Sequence, residues 1–330
     1  IVEPQGYLRI FRMSFSSGVK EELYRHISPA RHCQLAELAA LLHFNGSIGV
    51  GTTGTFLQIH AENALVVRKC FTLLQKTFNI STETRVQQGN QQTGYFCRID
   101  EPELIRRILQ GIKFLDQTGS PTSGEENLQD GLRCPVSRLL IRNSCCQRAF
   151  LRGAFLSVGS MSDPQKGYHL EFVCTDEEKA QQLCNVMQDF DIDAKIVLRK
   201  KYHVVYLKEG SSIVDLLNVC EAHVALMNFE NLRILKEMRN SVNRKVNCET
   251  ANITKTVNAA ARQIEDIEYL RDHYGFQNLP ENLRQMAEVR LENPDAPLKD
   301  LGSLLDPPVG KSGVNHRLRK ISEIADRIRM

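Results

Sequence analysis

Apolar positions along the chain recur mostly at helical spacing, interrupted by short runs of strand alternation. The first strong signal is an apolar helix over 33–45 that ends at Gly46. Short strands are predicted near 47–50 and 55–60. Asn63 is placed to cap a helix reaching about residue 78, along which Val66, Val67, Cys70, Phe71, Leu74 and Phe78 keep helical spacing. Strands follow near 82–87 and 94–99, then a helix opening at Pro102, a favoured first-turn residue. A second series predicts helix 144–158, strand 168–174, helix 176–189, strands 194–199 and 202–207, and helix 211–228.

The two series are one pattern written twice. Cys33 to Ser47 aligns with Cys146 to Ser160 at an offset of 113 residues, with Cys, Gln, Ala, Leu, Gly and Ser in register. The same offset places Leu57-Gln58-Ile59 on Leu170-Glu171-Phe172. Each copy reads as α-β-β-α-β-β-α, and two such copies predict an α+β domain whose strands form one saddle. Ala36, Ala39 and Ala40 in one first helix, and Ala149, Gly153 and Ala154 in the other, are small enough for these helices to approach closely. The expected organisation is an extension at 1–13, repeat one at 14–116, a Gly- and Ser-rich linker at 117–131, and repeat two at 132–228. A basic linker at 229–258 and an all-α segment at 259–330 complete it.

The C-terminal segment carries the clearest functional pattern. A helix from Leu279 to about Glu292 is broken by Asn293-Pro294-Asp295-Ala296-Pro297. A short helix from Leu298, a turn at Asp306–Gly310 and a longer helix from Lys311 to about Met330 follow. Short helix, turn and longer helix over 298–321 make a helix-turn-helix pattern. Val314, Leu318 and Ile321 form an inward stripe, while Ser312, Asn315, His316 and Arg319 share another face flanked by Arg317 and Lys320. Between Asp306 and Glu323 there is no acidic residue, and Lys311, Arg317, Arg319 and Lys320 are basic. Amide, imidazole, hydroxyl and guanidinium groups on one helix face are the types that reach base edges and phosphates in duplex DNA.

Composition adds little to this. The 330 residues suggest about two domains, and 42 basic against 39 acidic residues give a net charge of only +3. Charge is informative where it clusters: from Arg233 to Arg262 there are seven Lys or Arg against two Glu, enough to neutralise phosphates. No apolar run reaches the roughly 20 residues of a membrane span. Ten cysteines show no Cys-x-x-Cys and nine histidines no His-x-x-x-His, so the expectation is buried reduced thiols in a cytosolic protein, without a metal site or cofactor. Gly46 to Gly54 lacks the Lys-Ser or Lys-Thr of a phosphate loop, and Gly310-Lys311-Ser312 lacks the earlier glycine, since Leu305 stands there.

Leu38-Ala39-Ala40-Leu41-Leu42-His43-Phe44-Asn45-Gly46-Ser47 resembles the LAGLIDADG motif of homing endonucleases, and Leu151 to Ser160 resembles it more loosely. In that family the two motif helices form the pseudo-dimer interface, and an acidic residue before the final glycine holds the divalent metal. Asn45 and Val158 occupy those positions here. Glu62 and Asp163 are nearby in sequence but misplaced, so the resemblance implies the fold without the chemistry. With the helix-turn-helix, the chain resembles the WhiA family over nearly its whole length from Met13. The carrying segments are Ser14 to Leu23, Arg142 to Gly153, Asn243-Arg244 to Gln263, and Lys311 to Ile321. That resemblance implies a bacterial, cytoplasmic, nucleoid-associated regulator that binds promoter DNA, is linked to cell division, chromosome segregation or sporulation, and works with a possible protein co-regulator. A metal-dependent endonuclease and a division protein acting mainly through protein contacts are the alternatives. Arg85, Arg98, Lys195, Arg199, Lys201 and Lys208 are expected on the saddle strands, with Lys195, Arg199 and Lys201 on one face and Lys200 on the other. That is a modest set for duplex binding.

Overall fold

A computed structural model describes residues 14–51, 54–82, 84–88, 93–118, 120, 132 and 134–330. The expected extension at 1–13 lies outside them, as does the 117–131 linker apart from 117, 118 and 120. The chain divides into two compact units, up to residue 236 and from 237 to 330.

In the first unit the described elements of repeat one run α1 (Phe15–Arg25), α2 (Arg31–Asn45), β1 (Gly46–Gly51), β2 (Gly54–Ala61), α3 (Ala64–Phe78), β3 (Thr84–Gln88), β4 (Thr93–Ile99) and α4 (Pro102–Gly111). Repeat two gives α5 (Ser144–Val158), β5 (Gly159–Met161), β6 (Leu170–Cys174), α6 (Glu177–Gln188), β7 (Lys195–Arg199), β8 (Tyr202–Leu207) and α7 (Gly210–Val219). The strands form two separate antiparallel sheets of the same order, β1-β2-β4-β3 and β5-β6-β8-β7. Equivalent registers, Gly46 opposite Ile59 and Gly159 opposite Phe172, confirm the duplication. Strand β5 escapes sequence reading because three residues are too few to show alternation. Asn63 does cap α3, accepting from the Leu65 amide at 3.0 Å.

Two expectations about helices fail. The single helix at 211–228 is two helices: α7 ends and α8 (His223–His273) begins after a break at Cys220–Ala222. The break is a Schellman-type end. Glu221 takes a left-handed φ of 63°, and the Ala222 and Glu221 amides donate to Leu217 and Asn218 carbonyls. With glutamate where glycine is usual, no sequence signal marks it. The Glu22 carboxylate then accepts from the Val224 and Ala225 amides at 2.8 and 2.9 Å, satisfying the first turn of α8. The second failure is the basic linker at 229–258, which is helix throughout as part of α8. No glycine or proline occurs from 211 to 274, so nothing breaks a polar but helix-compatible sequence.

The core of the first unit is organised around the packing of α2 on α5. Gly153 lets the backbones approach: a Cβ there would sit 2.8 Å from the Glu37 carbonyl and 2.9 Å from Ala40 Cβ. Beside this contact lies a fully buried charge cluster. Glu37 pairs with Lys69 of α3 at 3.0 Å and with Arg152 of α5 at 3.3 Å, and all three side chains are at most 1% exposed. Lys69 Nζ also donates to the Leu23 and Tyr24 carbonyls at 2.9 and 3.3 Å and to that of His26, capping the C-terminus of α1. Arg152 Nη1 reaches Glu221 at the α7–α8 break, at 2.5 Å. One buried carboxylate thus links both repeats.

Removing one member leaves uncompensated buried charge. Glu37→Ala or Arg152→Ala is expected to cost about 3–5 kcal/mol, read as a lowered denaturation midpoint of the first unit. Gly153→Val should cost a further-separated 1–3 kcal/mol or so by overpacking. Denaturant midpoints unchanged in all three variants would show that the helix pair does not depend on this contact.

Candidate nucleic-acid interface

The second unit contains α8 from residue 237 onward, a short 3-10 turn (Phe276–Asn278), α9 (Glu281–Glu292), α10 (Leu298–Ser303) and α11 (Lys311–Arg329). Its core gathers Ile267, Leu270, Leu283, Met286, Leu301 and Leu305 around Val314, Leu318, Ile321 and Ala325 of α11. The inward stripe is therefore as expected, and Ala325 completes it. Two polar groups finish the packing. Arg290 is buried and Nη1 donates to the Ala296 carbonyl at 2.7 Å. Asp266, also buried, accepts from Arg329 at 2.7 Å. The turn between α10 and α11 is set by Gly302, whose carbonyl accepts from the Val309 amide at 2.9 Å. A Cβ on Gly302 would collide with the Val309 carbonyl, so the sharp turn requires glycine there.

Opposite the stripe, Lys311, Ser312, Asn315, His316, Arg319 and Lys320 are all exposed on α11. Arg317 differs: it is half-buried and directs Nη1 to the Asn282 carbonyl at 3.4 Å, tying α11 to α9. Arg319 pairs with Glu323 one turn on, at 3.2 Å, with both side chains more than half exposed. Such a surface pair is worth only about 0.2–1 kcal/mol, less than a bidentate base contact. On α8, Arg239, Arg244, Lys245, Lys255 and Arg262 are exposed as well.

Among the described residues, the first unit presents little free charge on its sheets. Lys200 and Lys201 are not on strands but form the two-residue turn between β7 and β8, Lys200 with φ of 56°. Lys208 likewise follows β8 rather than lying in it. Arg199 is held by Glu171 at 3.2 Å. Arg98 pairs with Asp100 at 2.6 Å and stacks on Phe56, 3.8 Å from the ring centroid. Lys195 is exposed on β7.

Helices α2 and α5 end at the two positions where a LAGLIDADG nuclease has its acids. Asn45 Nδ2 donates to the His60 carbonyl at 3.2 Å, and Val158 packs against the core. Neither last turn carries a carboxylate, and Glu62 and Asp163 are exposed beyond the helix ends. His43, within the motif, is buried; burial and then Lys179 push its pKa down to about 3, so it is neutral. At the opposite ends of these helices, four groups that sequence spacing left unconnected come together: His32, Cys33, Cys145 and Cys146. Burial and the neighbouring thiols push Cys146 up to about 12.

Three family models match in order: the WhiA N-terminal LAGLIDADG-like domain at residues 31–115, the WhiA LAGLIDADG-like domain at 147–239, and the WhiA C-terminal HTH domain at 242–325. The chain belongs to the WhiA family. A relative named probable cell division protein WhiA, from Lachnoclostridium phytofermentans, is 52% identical, covering 96% of this chain and 100% of its own. A second of that name from Alkaliphilus oremlandii is 48% identical, covering 96% and 98%. The crystal structure of full-length WhiA from Thermatoga maritima superposes with a TM-score of 0.57 at 25% identity, covering 96% and 99%. These WhiA relatives are named as cell division proteins rather than enzymes. No described helix is long and apolar enough to cross a membrane.

The buried histidine of the degenerate motif generates a pH dependence. Folded His43 takes a proton only near pH 3, whereas an unfolded histidine does so near 6.5. The unfolded chain therefore binds more protons below about pH 6.5, and stability falls as pH falls. For this group alone the loss is about 2 kcal/mol between pH 7 and 5. Urea titrations at several pH values should show this slope, and His43→Leu should flatten it. An unchanged slope in the variant would place the effect elsewhere.

Proposed function

We propose that this chain is a sequence-specific regulator of transcription tied to cell division, which binds double-stranded DNA through its helix-turn-helix and does not cut it. The observation that carries the reading is α11: a fully buried apolar stripe backs an exposed face of Ser312, Asn315, His316 and Arg319 flanked by Lys311 and Lys320. Asn315 has donor and acceptor to pair bidentately with adenine, and Arg319 can pair with guanine after releasing Glu323. Lys311 and Lys320 anchor phosphates. Arg317 acts mainly by holding α11 against Asn282. The exposed cations of α8 add sequence-independent attraction. The first unit, with Arg98 and Arg199 engaged by carboxylates, contributes a weaker contact and a scaffold. Its metal-binding acids are replaced by Asn45 and Val158, so hydrolysis of the DNA backbone has no ligand set there. The protein works at the nucleoid in this reading.

One observation favours a protein partner alongside DNA. Val242, Val246, Ile253 and Val257 are each at least 52% exposed on α8, and their spacing places them on one side of the helix. A co-regulator contacting this stripe would make the division role depend on protein contacts as well.

Genome-wide mapping of occupied sites supplies the duplexes for a direct test. Asn315→Ala and Arg319→Ala are expected to cost about 1–3 kcal/mol on a specific site and little on random DNA. Lys311→Ala and Lys320→Ala should weaken both alike and lower the salt slope by about 1. Val314→Asp should instead unfold the second unit, by placing a charge in its core. Equal losses on both DNAs for Asn315→Ala and Arg319→Ala would remove base reading from α11. Plasmid cleavage in Mg²⁺ or Mn²⁺, abolished by Glu62→Gln, would overturn the non-nuclease reading. A cellular role that survives deletion of 298–330 would shift the function to protein contacts.

A further inference from the structure

The amino-terminal ends of α2 and α5 bring together two dipeptides that are 113 residues apart. His32 and Cys33 are the second and third residues of α2, and Cys145 and Cys146 hold the same places in α5. The offset relating the repeats relates these pairs too, so the convergence follows from the duplication. His32 Nδ1 lies 3.2 Å from Cys146 Sγ, 3.3 Å from Cys33 Sγ and 4.0 Å from Cys145 Sγ. All four donor atoms lie within 4.8 Å of one another, and this is the one such cluster among the described residues.

We propose that His32, Cys33, Cys145 and Cys146 bind one Zn²⁺ ion that ties the two repeats together. Tetrahedral zinc, with bonds of about 2.3 Å to sulfur and 2.0–2.1 Å to nitrogen, spaces its ligand atoms about 3.5–3.8 Å apart. The three nitrogen–sulfur distances bracket that range. Three thiolates and one imidazole are a donor set that selects zinc over magnesium or calcium. Binding releases the thiol protons to solvent and leaves a site with one net negative charge. That charge lies in the first turns of two helices, where it is favoured. Cys33 and Cys146 are buried, while His32 and Cys145 are exposed, which gives the ion a route in. Four protein ligands leave no open position, so the ion is structural. The site is also about 18 Å, or twelve helical residues, from Asn45 and Val158. It is therefore distinct from the metal position of a LAGLIDADG nuclease.

The test uses the full chain, purified under reducing conditions. Elemental analysis should find about one zinc per chain, and cobalt-substituted protein should show the strong visible absorption and thiolate charge-transfer bands of a tetrahedral site. Because Cys33 and Cys146 are in the core, the exposed ligands provide the safer variants. Cys145→Ser and His32→Ala should weaken zinc binding at least about tenfold in competition with a chromophoric chelator. Cys33→Ser and Cys146→Ser should lose it, and Cys248→Ser should keep it. Chelator-stripped protein should melt at a lower temperature and recover on adding zinc. The proposal is overturned by reduced protein that takes up neither zinc nor cobalt, or by binding unaffected in Cys145→Ser and His32→Ala. A Cys33–Cys146 disulfide in the freshly purified chain would overturn it equally, making the cluster a redox clasp.

Discussion

The first unit depends on one buried carboxylate. Glu37 is the meeting point of Lys69 and Arg152 inside the contact between α2 and α5, and each partner carries the constraint outward. Lys69 holds the carbonyls that end α1, and Arg152 holds Glu221 where α7 gives way to α8. Such a cluster adds little net stability over an apolar core of the same shape. What it supplies here is geometry: the charges are satisfied only when both repeats and three helix ends are in place together.

The same helix pair ends at the positions that matter in a LAGLIDADG nuclease. In a LAGLIDADG nuclease the two helix ends deliver acids to a shared metal. Here one end-residue is an amide bonded to its own sheet, and the other is an aliphatic group packed in the core. His43, beside Asn45, is held neutral by burial. The interface packs the two repeats together, and its carboxyl-terminal ends carry Asn45 and Val158 rather than carboxylates. Its amino-terminal ends, by contrast, bring soft ligands together.

Charge location matters more than charge total. A chain with net charge +3 is not basic enough to suggest a nucleic-acid partner by itself. On the sheets, Arg98 and Arg199 are each matched by a carboxylate. On α11, Arg319 pairs with Glu323 in an exposed and therefore weak pair. Lys311, Arg319 and Lys320 thus stay exposed on the helix that the turn at Gly302 leads into.

Periodicity and repetition by themselves determined the α+β duplication, the helices other than α1 and α8, and the inward and outward faces of α11. Those features depend on which residues lie three, four or 113 positions apart, and that is local or internally repeated information. Tertiary structure decided the rest. The end of α7 at Glu221 has no glycine to announce it, because distant Glu22 and Arg152 stabilise the break. Residues 239–258 look like a linker by composition and are helix because nothing interrupts them. The predicted strands 194–199 and 202–207 leave Lys200 and Lys201 between them, and the pairing of Arg199 with Tyr202 makes them a turn, so the strand faces expected for them do not apply. The Glu37 cluster and the His32–Cys33–Cys145–Cys146 group were invisible for one physical reason. Burial and ligand geometry are properties of side chains brought together across repeats, and no spacing within either segment encodes them.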